Sequence, residues 1–193
     1  LADRTVVAVH SLGRRPLTIE HPKLTAHIVD FANLPVLPPA GEVYLALGTT
    51  IKVAGSQAAF RAVDFDANLA VAIAALAAGV KKAGLVSAMG ANADSKVFYS
   101  RVKGELENAL AKMPFDGVAI ARPSMLEGNR ETLGQPVRRG EKWASAMGKV
   151  FGFFIPANYK PIEATAVARA LLRAVPSGKG VTVLRSGLMR QGA

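Results

Sequence analysis

The chain has 193 residues, half of them apolar, with 24 Lys and Arg against 14 Asp and Glu and no cysteine. That apolar fraction supports one sizeable α/β core and does not call for a second domain; the absence of thiols excludes disulfides, zinc-thiolate and iron–sulfur sites and a cysteine nucleophile. The net charge of +10 favours phosphates, nucleic acid or acidic membranes, yet the basic residues are scattered and their clusters, "GRRP" at 13–16, "VKK" at 80–82 and "VRRGEK" at 137–142, do not interleave with aromatics as a single-strand groove would.

Nucleic acid therefore ranks low among the expected partners. The longest apolar run, "LAVAIAALAAGV" at 69–80, is about half the roughly 20 residues a spanning helix needs, so it reads as a buried helix and no membrane partner is expected. No secretory signal pattern opens the sequence, which makes the cytoplasm the default expectation.

In chain order, "TVVAVHSLG" at 5–13 is β-branched, apolar and ends in a turn signal, and reads as a buried strand. "TAHIVDF" at 25–31 and "EVYLALGTT" at 42–50 are two more. The period then changes: residues 56–79 are Ala- and Leu-rich, open on a Ser suited to cap a helix and stop at Gly79, predicting one long buried helix. "AGLVSAMGA" at 83–91 is the next strand and loop, a helix follows over 97–112, and "DGVAIARPSML" at 116–126 is a strand running into a Pro turn.

Beyond Glu127 the pattern loosens into a loop and a helix expected to cap the substrate side. "PIEATAVARALLRAV" at 161–175 is then helical and "GVTVLRS" at 180–186 a last strand. Strands alternating with helices imply βαβ units, hence a single domain built on a Rossmann-like, doubly wound parallel sheet with residues 127–193 as its cap and C-terminal elements. Ligands of such sheets lie at the carboxyl ends of the strands, where the informative polar residues of this chain fall.

The helix over 97–112 contains "FYSRVKGELE" at 98–107, with Tyr99 four places before Lys103. Positions i and i+4 share a helix face, so phenol and ammonium can meet at one point. A phenol is mostly an acid at neutral pH, and a nearby ammonium stabilises its anion, which suits proton transfer beside a hydride acceptor. The alternative is an exposed pair worth a few tenths of a kcal/mol.

"LGRRPL", "VDF", "LGTT", "AGVKKAGLVSAMGA", "FYSRVKGELE" and "ARPSMLEG" occur here in the order seen in atypical short-chain dehydrogenase/reductases. The chain resembles most the Tat-interacting-protein-like, NAD(P)-binding or sugar-epimerase-like group, over most of its length. That family opens on a strand and a GxxGxxG turn holding the cofactor pyrophosphate. Neither GxGxxG nor GxxGxxG occurs in residues 1–193. The expectation is a sheet whose first strand and glycine-rich loop are missing from the sequence, a segment of roughly twenty residues that would lie between the strands at 5–13 and 42–50.

The resemblance implies an NADP(H)-dependent oxidoreductase acting on a small carbonyl or hydroxyl substrate, with Tyr99 as general acid/base and Lys103 tuning it and binding the nicotinamide ribose. Ser87 is the candidate substrate hydrogen-bond donor, although the next position, where such families often place a second hydroxyl, is Ala88; the alternative is a structural hydroxyl pointing into the sheet. Arg14 and Arg15 follow the second conventional strand without an acid, favouring the 2′-phosphate of NADP(H) over NAD(H). Asp30 and Phe31 would lie at the adenine, Leu47, Gly48 and Thr49 at the ribose, and Pro123 and Ser124 at the nicotinamide; each alone could be a turn residue. The alternative is a non-catalytic NADP(H) sensor or protein-interaction module. His10, His21 and His27 lack metal-ligand spacing, so no metal is expected. Trp143, Met147, Phe151, Phe153 and Phe154 read as core, substrate-pocket wall or an oligomer face, which leaves a homodimer open.

Overall fold

The computed structural model describes residues 1–127, 158 and 160–191. The elements are β1 (Val9–Gly13), β2 (Leu24–Ile28), β3 (Glu42–Leu45), α1 (Ile51–Ala54), α2 (Gln57–Arg61), a π-helical segment (Ala62–Ala67), α3 (Asn68–Ala77), β4 (Lys82–Val86), α4 (Phe98–Ala111) and β5 (Gly117–Arg122). The short β6 (Leu126–Glu127) and β7 (Ile162–Glu163) follow, then α5 (Ala164–Ser177), β8 (Gly180–Arg185) and α6 (Ser186–Gln191). The order β3-β4-β5-β8 forms a four-stranded sheet in which every pairing is parallel. It is the Rossmann-like α/β architecture expected.

Strand β5 shows why the layers form. Its side chains alternate faces: Val118 and Ile120 join Leu45, Val71, Leu85, Leu106 and Leu110 in one core, while Ala119 and Ala121 meet Val167, Leu171 and Val175 of α5 in the other. Both faces of the strand are covered, as parallel sheets require. The fully buried Leu106 and Leu110 each contribute about 1.5–3 kcal/mol through apolar burial.

β1 and β2 pair in parallel as a separate two-stranded sheet. Leu12, Phe31 and Leu34 pack this unit against the core on the α3–α4 side. No ladder joins β1 to β3, so each presents one edge without a strand partner among the described residues.

The long helix expected over 56–79 begins and ends as the sequence signals. Ser56 Oγ accepts from Ala59 N, and Gly79 takes the left-handed conformation, φ 88°. It is not uniform, however. The π-helical segment at Ala62–Ala67 interrupts it, a change of hydrogen-bond register that residue propensities do not carry. The strand expected over 5–13 starts only at Val9, and a terminal helix, α6, follows β8 where the sequence pattern ended on a strand. The expected loop and helix beyond Glu127, with Trp143, Met147, Phe151, Phe153 and Phe154, lie outside the described residues.

Candidate active site

Helix α4 buries one stripe comprising Val102, Lys103, Leu106, Glu107 and Leu110, so two charged side chains sit among its apolar contacts. Lys103 Nζ lies 2.7 Å from Asp64 Oδ1, the side chains being only 7% and 1% exposed. Asp64 stands on the π-helical segment, and its Oδ2 accepts from Thr49 N at 2.8 Å. Two charges taken from water need partners, and here each carries the other: Asp64 takes the Lys103 ammonium and an amide of the chain after β3, while part of the ammonium's donor capacity stays open.

That stretch is fastened a second time by Asn68, whose Nδ2 donates to Leu47 O at 3.0 Å and to Val63 O and Asp64 O at 3.2 Å. A Cβ at Gly48 would stand 3.5 Å from Asp64 Oδ1 and 3.9 Å from Lys103 Nζ, ordinary contact distances, so the pair packs directly against this backbone without itself demanding a glycine. Of the predicted residues, Leu47, Gly48, Thr49 and Lys103 are thus brought together. Tyr99 lies one turn before Lys103 and remains 37% exposed, its ring centroid 5.6 Å from that of the fully buried Phe60.

Ser87, at the end of β4, is buried and donates to Glu107 Oε1. Arg122, at the end of β5, grips the same carboxylate through Nε, at 3.0 Å and 3.1 Å, and through Nη2. The Glu107 hydrogen bonds hold the Arg122 guanidinium above its usual pKa. A serine hydroxyl has one proton to give. With that proton on Glu107, Ser87 is not placed to donate to a substrate oxygen, the role the sequence assigned it.

Arg14 and Arg15 follow β1 and are exposed, with no acid paired to them among the described residues. Asp30, after β2, accepts from Ala32 N at 2.9 Å while its backbone oxygen accepts from Asn33 N; this is a turn role, and it occupies part of the carboxylate. Phe31 packs against the core. Pro123 O accepts from Met89 N at 2.8 Å, fixing the loop after β4 to the end of β5. Ser124 is spent on local bonds, its N donating to Ser186 Oγ at 2.7 Å and its Oγ to Lys160 O.

Sequence reasoning missed Asp64, Asn68, Glu107 and Arg122. A signal existed for two of them. Asp64 falls on the buried side of its helix with Phe60, Ala67 and Val71, and Glu107 lies four residues after Lys103 and one after Leu106. A carboxylate at an apolar-stripe position needs a buried partner.

Comparison with known protein-family models finds no match. Curated relatives are nevertheless clear. "Protein FMP52, mitochondrial" of Lodderomyces elongisporus is 40% identical over 136 residues, 69% of this chain and 56% of that protein. Its namesake in Candida albicans is 38% identical over 135 residues, 69% of this chain and 58% of the relative. "Protein fmp52-1, mitochondrial" of Aspergillus terreus is 32% identical over 160 residues, 78% of this chain and 68% of the relative. The chain thus spans under three-fifths of the first two relatives. The names of these relatives overturn the cytoplasmic expectation, which rested on the absence of a secretory signal, and that absence does not distinguish cytosol from an organelle.

Among solved structures, MoeE5 in complex with UDP-glucose and NAD superposes with a TM-score of 0.63 at 16% identity, covering 92% of this chain and 68% of that one. The UDP-glucose 4-epimerase of Thermotoga maritima gives 0.63 at 15%, covering 93% and 69%. RMD from Pseudomonas aeruginosa complexed with NADPH gives 0.56 at 16%, covering 91% and 75%. At such identities the likeness concerns the fold.

Proposed function

We propose, from the premise that the chain belongs to the FMP52 family of atypical short-chain dehydrogenase/reductases, that it is an NADP(H)-dependent oxidoreductase of a small carbonyl or hydroxyl compound in mitochondria. The observation that carries the reading is the buried Lys103–Asp64 pair, which joins the end of β3 to the helix face bearing Tyr99. Further support comes from structural neighbours whose names include NAD or NADPH and from relatives named mitochondrial.

The residues fit a dinucleotide. Gly48 keeps the backbone open to close approach at the strand end, and an ammonium with one bond to Asp64 has two N–H groups left for a ribose. Arg14 and Arg15, unmatched by an acid, suit a 2′-phosphate. When bound, the nicotinamide supplies the hydride donor or acceptor. Tyr99 Oη gives its proton to the substrate oxygen in reduction and takes it back in oxidation, while Lys103, immobilised by Asp64, places positive charge one helical turn away to stabilise the phenolate. Ser87 orients Glu107 in place of contacting substrate.

A second reading, a non-catalytic NADP(H) sensor or interaction module, is favoured by one observation: the hydroxyl expected to meet substrate is turned to Glu107, and Ala88 follows it. Screening carbonyl compounds with the full-length protein, following NADPH absorbance beside a dinucleotide titration, separates the two. NADPH consumption with any carbonyl supports the enzyme. Tight NADPH binding without consumption across the panel supports the sensor.

A further inference from the structure

The parallel pairing of β5 with β8 puts Arg122 opposite Arg185 at the carboxyl ends of both strands, and register partners project to the same face. They border a cavity of about 200 Å³ completed by Met89, Gly90, Asn158 and Ser186. Arg122 is fixed by Glu107, which takes its Nε and Nη2. Its Nη1 and the whole Arg185 guanidinium have no partner among the described residues.

The other polar groups add donors rather than acceptors. Ser186 Oγ already accepts from Ser124 N and Asn158 Oδ1 from Gly187 N, which leaves the Asn158 amide hydrogens, and no carboxylate lines the space among the described residues. One guanidinium is balanced by a buried acid; the other is not. A cavity lined by side-chain donors, with one guanidinium fixed by Glu107 and a second unpaired among the described residues, is complementary to an oxyanion.

Its position matters as much as its charge. Met89 and Gly90 belong to the loop leading from β4 into α4, and Asn92 N donates to Ser100 O, the residue after Tyr99. We infer that Arg185, with Arg122 held beside it by Glu107, forms a subsite for a carboxylate or phosphate on the substrate. This rests on the oxidoreductase reading, whose substrate it narrows to anionic carbonyl compounds. Arg122 is preorganised because Glu107 fixes its plane, and Arg185 supplies a charge that no described residue answers.

Two arms test this on the full-length protein. In the first, inorganic phosphate and acetate are titrated separately while the arginine side-chain NMR signals are followed; saturable shifts of Arg185, absent from the Arg185→Gln variant, are expected. In the second, NADPH-dependent reduction of succinic semialdehyde, of its methyl ester and of glycolaldehyde phosphate is compared. The preferred anion should exceed the ester in kcat/KM by about tenfold or more, and Arg185→Gln should collapse that ratio towards one while Arg185→Lys restores part of it. The relative responses to carboxylate and phosphate say which anion the subsite takes. A ratio near one in the wild type, or one unchanged in Arg185→Gln, overturns the subsite and leaves the oxidoreductase reading standing. Saturable anion binding lost in Arg185→Gln, with none of the carbonyl compounds reduced, upholds the subsite and refutes that reading. Absence of saturable anion binding overturns the subsite.

Discussion

Lys103 and Asp64 show how a residue proposed for catalysis can also be a structural liability. Both side chains are almost wholly removed from water, so taking away one partner strands the other as an unpaired buried charge, at about 3–5 kcal/mol. Asp64→Leu and Lys103→Met should each destabilise by that order in chemical denaturation. The double variant should recover much of the loss, because it removes the desolvated charges together. Additive losses would show that the pair is not coupled. Ser87 gives a contrasting expectation. Since its proton goes to Glu107, Ser87→Ala should lower kcat by less than about tenfold, below the range for a lost general acid, and a loss of about a hundredfold or more would restore it to the substrate. That Tyr99 and Lys103 stand four residues apart on one helix, as α4 carries them, was legible in the sequence. The partners of Lys103 and Ser87 were not, because spacing along a helix says nothing about which side chain arrives from another element.

At the scale of elements, the junction of α4 with the loop before it is the tightest in the site. A Cβ added to Gly104 would stand 2.2 Å from Ala93 N and 2.3 Å from Asn92 C, contacts that backbone atoms cannot relieve without shifting. Gly104→Ala should therefore push α4 from the 92–93 loop, displacing Lys103 as well. It should cost about 1–3 kcal/mol in thermal unfolding and reduce turnover; unchanged stability would mean that the loop yields freely. The glycine is visible in "VKGE", but its reason is not, since close approach between segments appears only when both are placed. The same limit hid the π-helical turn. Strands β3, β4 and β5 and helix α4 were readable from apolar runs with Gly and Pro punctuation, whereas Ala62–Ala67 kept the composition of a regular helix while changing its hydrogen-bond register.

Over the whole molecule, parallel strands gather the informative side chains at their carboxyl ends, and that placement was legible because alternating strands and helices dictate it. What alternation could not disclose is how the sheet is divided, with β1 and β2 apart from the four-stranded sheet. The NADP(H) preference proposed for the exposed pair after β1, part of the net charge of +10, has its own test. Arg14→Ala combined with Arg15→Ala should weaken NADPH binding by about tenfold or more and leave NADH nearly unaffected, since only the former carries the phosphate that a guanidinium grips. Fluorescence titration with both dinucleotides reads this; equal losses for both would assign the arginines to general electrostatics.

In the proposed reaction the Tyr99 phenol moves the proton with support from Lys103. The most direct test of that role is single-turnover reduction of a carbonyl substrate by the full-length protein, wild type against Tyr99→Phe, each saturated with NADPH. Tyr99→Phe should react about 10²–10⁴-fold more slowly with NADPH affinity unchanged. Equal rates in the two proteins would contradict it.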